Sequence, residues 1–501
     1  MGINIYNRGK EAKINIENIT FKYRVLSGIK WTGTAQIAKQ LIQFIISVIL
    51  ARLLLPSDFG IIGMILVFSG FAQLFGEFGL GSAVVQKIDI QPHQLNSVFW
   101  LNIVIGFLLT LIFIVFSPLI ANFYNEPSLK LYIPVFSSIF LINSLSIVQN
   151  SLLQKKMDFK KIAIIEINAT AWSGLIAIIM AFKGFGTWSL ITQYLISSFV
   201  SVILVWRVSD WRPNLSFSFT GLKGLINYGS NLLGFNVFNY GSRNVDNFLV
   251  GKFIGKSALG IYTRAYNLML LPISQISSVI SRVLFPAMCE IQNDKERTKQ
   301  IYLKAIRIVG LITFPLMIGL LVSAENFVFG IFGAKWKEMI PIFQILCITG
   351  LLQGVSSTTG VIYTSQGRTD LMFKWGIFSG IVCMLSFIIG LHWGIIGIAS
   401  AYVISGYLIL WYPCWVIPGK LINLHFREML KNLMGPFFCS LMMGLIMWIP
   451  ENFFPQQWPY LFRFFLQFII GVFAYWAFIT IFKLKAYSDT LLILKEAKLK
   501  N

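Results

Sequence analysis

Two apolar segments, 200 positions apart, carry the same row of polar side chains. In each segment the polar positions follow an i, i+3, i+4, i+7, i+11 spacing, which places them along one face of a helix. The first row is Gln36, Lys39, Gln40, Gln43 and Ser47, and the second is Asn236, Asn239, Tyr240, Arg243 and Asn247. A single Lys or Arg at mid-membrane costs about 2.5–3.5 kcal/mol on insertion scales, so each row is expected to face protein or water.

Ionisable side chains also lie well inside apolar runs, at Lys39, Glu77, Glu166, Arg243, Asp246, Arg264 and Arg282. Fixed cations along a hydrated surface lower the barrier for an anion, because they replace part of its hydration in low-dielectric surroundings. Arginine offers a planar fork of donors suited to phosphate oxygens, whereas lysine acts as a point charge. The candidate anion-binding residues are therefore Lys39, Arg243, Arg264 and Arg282.

The acids among these residues suggest other roles. A carboxylate in a partly dry site has its charged form disfavoured, so Glu77 and Asp246 are candidates for coupling to protons or sodium. Each also has a simpler interpretation: Glu77 can neutralise an arginine, and Asp246 can pair with Arg243, three positions away on the same helix. Glu166 closely follows the basic residues Lys155–Lys161, so we expect it to form a salt bridge with them near the interface.

The elements that must position these residues are membrane-spanning helices. The chain has 501 residues, of which 56% are hydrophobic and 12% charged. Its apolar runs repeat at the length needed to cross a bilayer core of about 30 Å. We predict an all-α polytopic membrane protein with about fourteen transmembrane helices, at 28–55, 57–87, 93–121, 128–152, 159–183, 186–207, 221–251, 257–288, 299–322, 338–365, 370–391, 394–417, 428–449 and 458–482.

The net charge of +21 reflects topology rather than nucleic-acid binding. Lys and Arg are concentrated in the two tails and the even-numbered connections, which the positive-inside rule places in the cytoplasm. We therefore predict that both termini are cytoplasmic and that the basic residues after 482 lie against anionic headgroups. The five cysteines stand singly among apolar neighbours, so no metal site and no disulfide is predicted.

The two halves of the chain resemble each other beyond the polar rows. Leu50–Arg52 matches Val250–Lys252 and Phe59–Ile61 matches Leu259–Ile261, both at an offset of 200. Further on, Gln154–Phe159 matches Gln366–Leu371 at an offset of 212. The second half is therefore expected to have gained about a dozen residues between these landmarks.

This duplication predicts the domain organisation. Spans 1–6 map onto spans 7–12, and an even number of crossings gives both halves the same orientation, related by a pseudo-two-fold axis along the membrane normal. Their interface is the expected cavity. The predicted parts are an N-terminal segment 1–27, a first lobe 28–207, a second lobe 221–417, two further helices within 428–482 and a basic tail 483–501.

Several motifs carry a family resemblance. They are Arg243–Asn247 followed by Val250-Gly251, then Leu259–Tyr266, Ala51–Gly60 and the turn Glu77–Ala83. Together they resemble the polysaccharide transport branch of the multidrug, oligosaccharidyl-lipid and polysaccharide exporter superfamily, in particular O-antigen and colanic-acid type exporters. The resemblance runs from about residue 25 to 485, nearly the whole chain.

The resemblance implies a flippase rather than an enzyme. Its cargo would be an undecaprenyl-pyrophosphate-linked oligosaccharide, carried across the bacterial inner membrane by the rocking of two six-helix lobes. It implies no bound cofactor, with coupling to a proton or sodium gradient left open. Membrane lipids, a polysaccharide polymerase and glycosyltransferases are the partners that it suggests.

Two other functions remain alternatives. A cation-coupled drug exporter of the same superfamily would generally have twelve spans and acidic rather than cationic stripes, and competition by amphipathic cations would reveal it. A membrane-embedded glycosyltransferase, polymerase or ligase would change the chemistry of the lipid-linked sugar and not only its sidedness. The short loops and the three scattered histidines, His93, His392 and His425, argue against that second alternative.

Overall fold

A computed structural model describes residues 36–77, 79–87, 90–218, 237, 240–241, 243–455, 457–484 and 487, without the side chains of residues 77 and 452. Within this part of the chain the regular structure is helical and contains no strand. The chain divides into two compact units, with the boundary between Gly241 and Ser242.

The first unit contains eight described helices. They are α1 (Gln36–Leu53), α2 (Pro56–Glu77), α3 (Leu80–Gln86), α4 (Pro92–Tyr124), α5 (Leu129–Ser144), α6 (Ile147–Lys155), α7 (Phe159–Phe182) and α8 (Thr187–Val208). α4 packs against α5, and α7 against α8. α5 and α6 meet at an angle of 43° at the break between them.

The second unit begins with α9 (243–249), which continues into a short π-helical segment at Val250–Ile254. The helices that follow are α10 (Lys256–Glu290), α11 (Lys295–Val322), α12 (Ala324–Phe327), α13 (Met339–Ser356), α14 (Thr359–Ser365), α15 (Thr369–Gly390), α16 (Gly394–Ser405), α17 (Trp411–Gly419), α18 (Phe426–Trp448) and α19 (Tyr460–Ile481). α11 packs against both α13 and α18.

The predicted membrane-spanning class is confirmed. Among the described residues, 11 helical segments are long and apolar enough to cross a membrane, or 12 if α5 and α6 count as one bent span. One of these segments, Thr369–Ile422, has 54 residues, but α15 and α16 pack against each other, so the chain turns back between them. The predicted span 221–251 lies mostly outside the described residues, and the count of fourteen stays a prediction.

The helix boundaries repeat as the sequence landmarks predict. α2 begins at Pro56 and α10 at Lys256, so the two helices begin 200 positions apart, each nine residues after the last residue of a polar row, Ser47 or Asn247. The pair α5–α6 and the pair α13–α14 also have matching lengths and a break in the same place. Residues 125–128 join α4 to α5, whereas residues 323–338 join α11 to α13 and include α12. This longer connection accounts for the predicted gain of about a dozen residues.

The last two long helices, α18 and α19, pack against α11 and form side-chain contacts with it. Arg307 Nε donates to Asn432 Oδ1 at 2.7 Å, and the Tyr475 hydroxyl donates to the Leu311 carbonyl at 2.8 Å. Lys299 adds an ion pair with Glu428 at 3.5 Å. These contacts make the helix pair part of the second unit. The predicted domain bounds remain predictions, because residues 219–236 of the connecting segment are not described.

The packing follows the logic of a membrane protein. In the second unit Tyr302, Ile306, Trp415 and Met429 belong to one buried apolar cluster. Large apolar side chains also cover the surface, as Phe465, Val472 and Trp476 do on α19. Such a surface is compatible with lipid, which is as apolar as the side chains that meet it. Charged residues inside the spans are therefore exceptions that need an explanation.

Candidate functional site

Lys39 lies in α1 of the first unit and pairs with an acid from another helix. Its Nζ atom is 3.0 Å from Oε2 of Glu166 in α7, and the two side chains are 33% and 46% exposed. The expectation that Glu166 pairs with the basic residues Lys155–Lys161 was therefore wrong. Glu166 lies about 10 Å along α7 from the first residue of that helix, Phe159. Within the basic cluster, Lys161 pairs with Asp158 and Lys156 pairs with Asp210.

The other members of the first polar row lie on a helix that is mostly open to its surroundings. Gln36 and Gln43 are exposed, whereas Gln40 and Ser47 are half-buried. On the side that carries Lys39, α1 approaches α7 so closely that a Cβ on Gly174 would overlap the Ile46 side chain. This close approach carries Lys39 to Glu166.

The second polar row is described only in part. Asn236 and Asn239 lie outside the described residues, while Arg243 is exposed and Asn247 half-buried. The Tyr240 hydroxyl donates to two carbonyls of α2, those of Leu66 at 3.0 Å and Val67 at 2.9 Å. Tyr240 therefore has a packing role that the stripe pattern did not predict.

Asp246 is buried and does not pair with Arg243. Its Oδ2 accepts a 3.0 Å hydrogen bond from the Tyr262 hydroxyl, and its Oδ1 accepts one from the backbone amide of Asn247 at 2.7 Å. Among the described residues Asp246 has no ion pair. The local pairing with Arg243 was the wrong interpretation, because the Asp246 side chain turns toward α10 whereas Arg243 stays exposed.

Three further polar side chains lie near Asp246. The Tyr262 ring stacks on Tyr266, with centroids 6.2 Å apart. Tyr266 in turn interacts with Gln353 of α13 and Tyr402 of α16. The sequence offered one signal for this cluster, since Tyr262 and Tyr266 are four apart in the motif Leu259–Tyr266. Asp246 thus lies at one end of a chain of polar side chains that runs through Tyr262 and Tyr266 to Gln353 and Tyr402.

The hydrogen bond between Asp246 and Tyr262 fixes the register of α9 against α10. Arg243 lies one turn before Asp246, about 4.5 Å along its axis, and Arg264 lies about 3 Å past Tyr262. Because the two helices run in opposite directions, both arginines are displaced to the same side of this bond. The structure therefore brings Arg243 and Arg264 to nearly the same level.

Arg282 is set apart from these two arginines. It lies on α10, eighteen residues after the half-buried Arg264, which corresponds to about 27 Å of helix. Its side chain is exposed. One diphosphate group cannot span that distance, so the four predicted cations do not form a single cluster.

Glu77 ends α2, and its side chain is not among those described. The predicted bend after it is present, because Gly79 has a φ of 63° and α3 begins at Leu80. The left-handed backbone there favours glycine. The role predicted for Glu77 stays a prediction.

The long apolar helices of the fold define a polytopic α-helical membrane protein. Its family is shown by comparison of its sequence. Residues 49–341 match the family described as "Polysaccharide biosynthesis protein". The chain therefore belongs to this family.

Characterised relatives cover most of the chain. It is 28% identical over 426 residues to the lipopolysaccharide biosynthesis protein WzxC of Escherichia coli K12. The matched region covers 84% of this chain and 87% of that protein. It is 30% identical over 429 residues to the teichuronic acid biosynthesis protein TuaB of Bacillus subtilis 168. That match covers 84% of this chain and 88% of the relative.

Solved structures share the fold. The lipid II flippase MurJ in an inward closed conformation superposes with a TM-score of 0.73 at 19% identity, over 92% of this chain and 99% of that chain. An inward-facing transporter of the MATE family gives a TM-score of 0.61 at 17% identity, over 77% and 96%. At these identities the likeness concerns the architecture.

Proposed function

We propose that this protein is a flippase of surface polysaccharide biosynthesis. It moves a polyprenyl-diphosphate-linked oligosaccharide from the cytoplasmic to the outer leaflet of the bacterial inner membrane by alternating access, with both termini in the cytoplasm. Family membership supports the pathway, and the shared architecture supports a transport mechanism. No bond is made or broken in this reaction.

The observation that carries the proposal is the common level of Arg243 on α9 and Arg264 on α10. Each guanidinium group offers a planar fork of donors that suits diphosphate oxygens, and both lie at the depth where the cargo would be held. Lys39 is a separate candidate cation on α1 of the first unit, where it pairs with Glu166. Arg282 is too far along α10 to join them, so we assign it a place at the edge of the hydrated path.

Coupling is assigned to Asp246. A buried carboxylate held by one phenol and one backbone amide has few donors to stabilise its charge, so gaining a proton or a sodium ion changes its energy substantially. Glu77, next to the bend at Gly79, is the second candidate. Because α9 carries both Arg243 and Asp246, a cation bound at Asp246 acts on the same helix as the proposed anion site.

Charge reversal in cells tests the proposal. Replacing Arg243 or Arg264 by Glu is expected to abolish surface polysaccharide while leaving the protein inserted and abundant, because the new carboxylate repels the diphosphate. The matched control is Arg282→Glu, which is expected to retain most export. Full export by both R243E and R264E would remove their assigned role.

Reconstitution separates the proposal from its rivals. In proteoliposomes a flippase changes the sidedness of a lipid-linked oligosaccharide and leaves its chemical structure intact, which mass spectrometry of the recovered lipid checks. A chemically altered product would instead indicate a transferase or polymerase. Strong competition by amphipathic cations would favour the drug-exporter alternative.

A further inference from the structure

The ion pair between Lys39 and Glu166 has a consequence for release of the cargo. We propose that Glu166 is an internal counter-anion that competes with the diphosphate for Lys39 and so limits how tightly the cargo is held. This inference rests on the proposed function and adds a residue to it. Glu166 is a positioning residue that acts through Lys39.

The geometry suits exchange of one anion for another. Lys39 Nζ and Glu166 Oε2 are 3.0 Å apart, yet 33% and 46% of the two side chains remain exposed. A packed, closed ion pair would not let a second anion reach the ammonium. Because both side chains stay partly exposed, a diphosphate can approach Lys39 while Glu166 is still bound.

The pair is also built by the fold rather than by local sequence. Its members are 127 positions apart, on α1 and α7, and α1 is held close to α7 where Gly174 receives Ile46. A glutamate that served only to anchor a surface lysine would more simply lie three or four positions away on the same helix. Asp158 and Lys161 show that local arrangement at the start of α7.

Electrostatics explains why a counter-anion is useful. A lone ammonium inside a membrane is costly, so Glu166 keeps the empty site nearly neutral. The diphosphate carries more charge than one carboxylate and displaces it from Lys39, so cargo binding is weakened by the energy needed to break the ion pair. Transport needs binding that is favourable enough for entry and weak enough for release. Glu166 provides the second condition.

The test measures binding of undecaprenyl diphosphate to the full-length protein in lipid nanodiscs. Lys39→Gln is expected to weaken binding about fivefold, and Glu166→Gln to strengthen it about fivefold, the upper end of the range for a partly exposed ion pair. The double variant should bind like K39Q, because Glu166 acts only through Lys39. In proteoliposomes E166Q should lower both KM and kcat.

Asp210→Asn is the matched control, because it removes an acid of the same unit that pairs with Lys156 at 3.4 Å near the basic end of α7. It should leave binding unchanged. If D210N strengthens binding as much as E166Q does, the effect is one of overall charge and the inference fails. If E166Q is poorly folded, Glu166→Asp, which draws the carboxylate back from Lys39, should give an intermediate gain.

Two results separate this inference from the proposed function. If K39Q weakens binding while E166Q binds like the unmodified protein or less tightly, the counter-anion role is wrong and the cationic site stands. If K39Q, Arg243→Gln and Arg264→Gln all bind normally, the cationic site itself is wrong, and the role of Glu166 falls with it.

Discussion

The Tyr262 hydroxyl donates a 3.0 Å hydrogen bond to Oδ2 of Asp246, and both side chains are almost fully buried. The bond joins α9 to α10, and among the described residues Asp246 forms no ion pair. It therefore serves two purposes at once: it satisfies a buried carboxylate, and it sets the level at which Arg243 and Arg264 stand.

Removing this hydroxyl should destabilise the protein. In Tyr262→Phe the carboxylate loses one of its two described donors, which costs about 1–3 kcal/mol for a buried polar group left unsatisfied. We expect a lower midpoint of thermal unfolding for the purified protein in detergent. Tyr412→Phe is the control, since that side chain is 59% exposed and should lose little.

The partner relationship can be tested by a double variant. Asp246→Asn removes the charge, so Tyr262→Phe should cost less in that background than in the unmodified chain. Equal losses in both backgrounds would mean that the hydroxyl stabilises the fold through something other than Asp246.

The sequence predicted the elements better than the contacts between them. Apolar length located the spans, and the offsets at Phe59 and Gln154 located matching helix ends in the second half. The partners of Glu166 and Asp246 could not be read in the same way, because nearness in sequence favoured Lys155–Lys161 and Arg243. The actual partners, Lys39 and Tyr262, come from other helices, and only tertiary packing selects them.

Polar stripes have a similar limit. Periodicity placed Tyr240 and Arg243 on one helix face, but it could not show that the Tyr240 hydroxyl reaches the carbonyls of Leu66 and Val67. For the cations the sequence did better, because it ranked Arg282 last and placed it toward the cytoplasmic end of its span. Depth follows from helix length once the bond between Asp246 and Tyr262 fixes the register.

The tight return from α15 to α16 gives a second prediction. A Cβ on Gly390 would lie 2.5 Å from the Gly397 carbonyl oxygen and 2.8 Å from the Ile398 Cα atom. Because both are backbone atoms, Gly390→Ala should force the helices apart and cost about 1–3 kcal/mol, as overpacking does. Thermal unfolding of the purified protein measures this loss.

Gly376→Ala is the matched control on the same helix. A Cβ there would meet nothing within 4 Å, so this variant should be neutral or slightly more stable. Equal stability of G390A and G376A would show that α15 and α16 are not packed as closely as described.

Gly70 and Tyr240 provide a third prediction, with a built-in rescue. A Cβ on Gly70 would overlap the Tyr240 hydroxyl, so Gly70→Ala should lower both thermal stability and export. Adding Tyr240→Phe removes the nearest atom and should restore part of the loss. Gly76→Ala, whose Cβ would sit 3.5 Å from a Leu109 methyl, is the control on the same helix. If Y240F does not improve the stability of G70A, overlap with the Tyr240 hydroxyl is not the cause of the loss.

The last prediction concerns depth along α10. Arg264 and Arg282 are separated by about 27 Å of helix, close to the thickness of the hydrocarbon core, so they cannot hold the same diphosphate at once. Arg264→Gln should raise the KM for a lipid-linked oligosaccharide in proteoliposomes about tenfold, the scale of one charge-assisted hydrogen bond. Arg282→Gln should change KM little, because the Arg282 guanidinium lies far from the level of Arg264.

Arg243→Gln should resemble R264Q. The effects of the two substitutions on KM should be less than additive in the double variant, because both residues contact one ligand. A larger effect for R282Q than for R264Q would move the anion site toward the far end of α10 and overturn the assignment to Arg243 and Arg264.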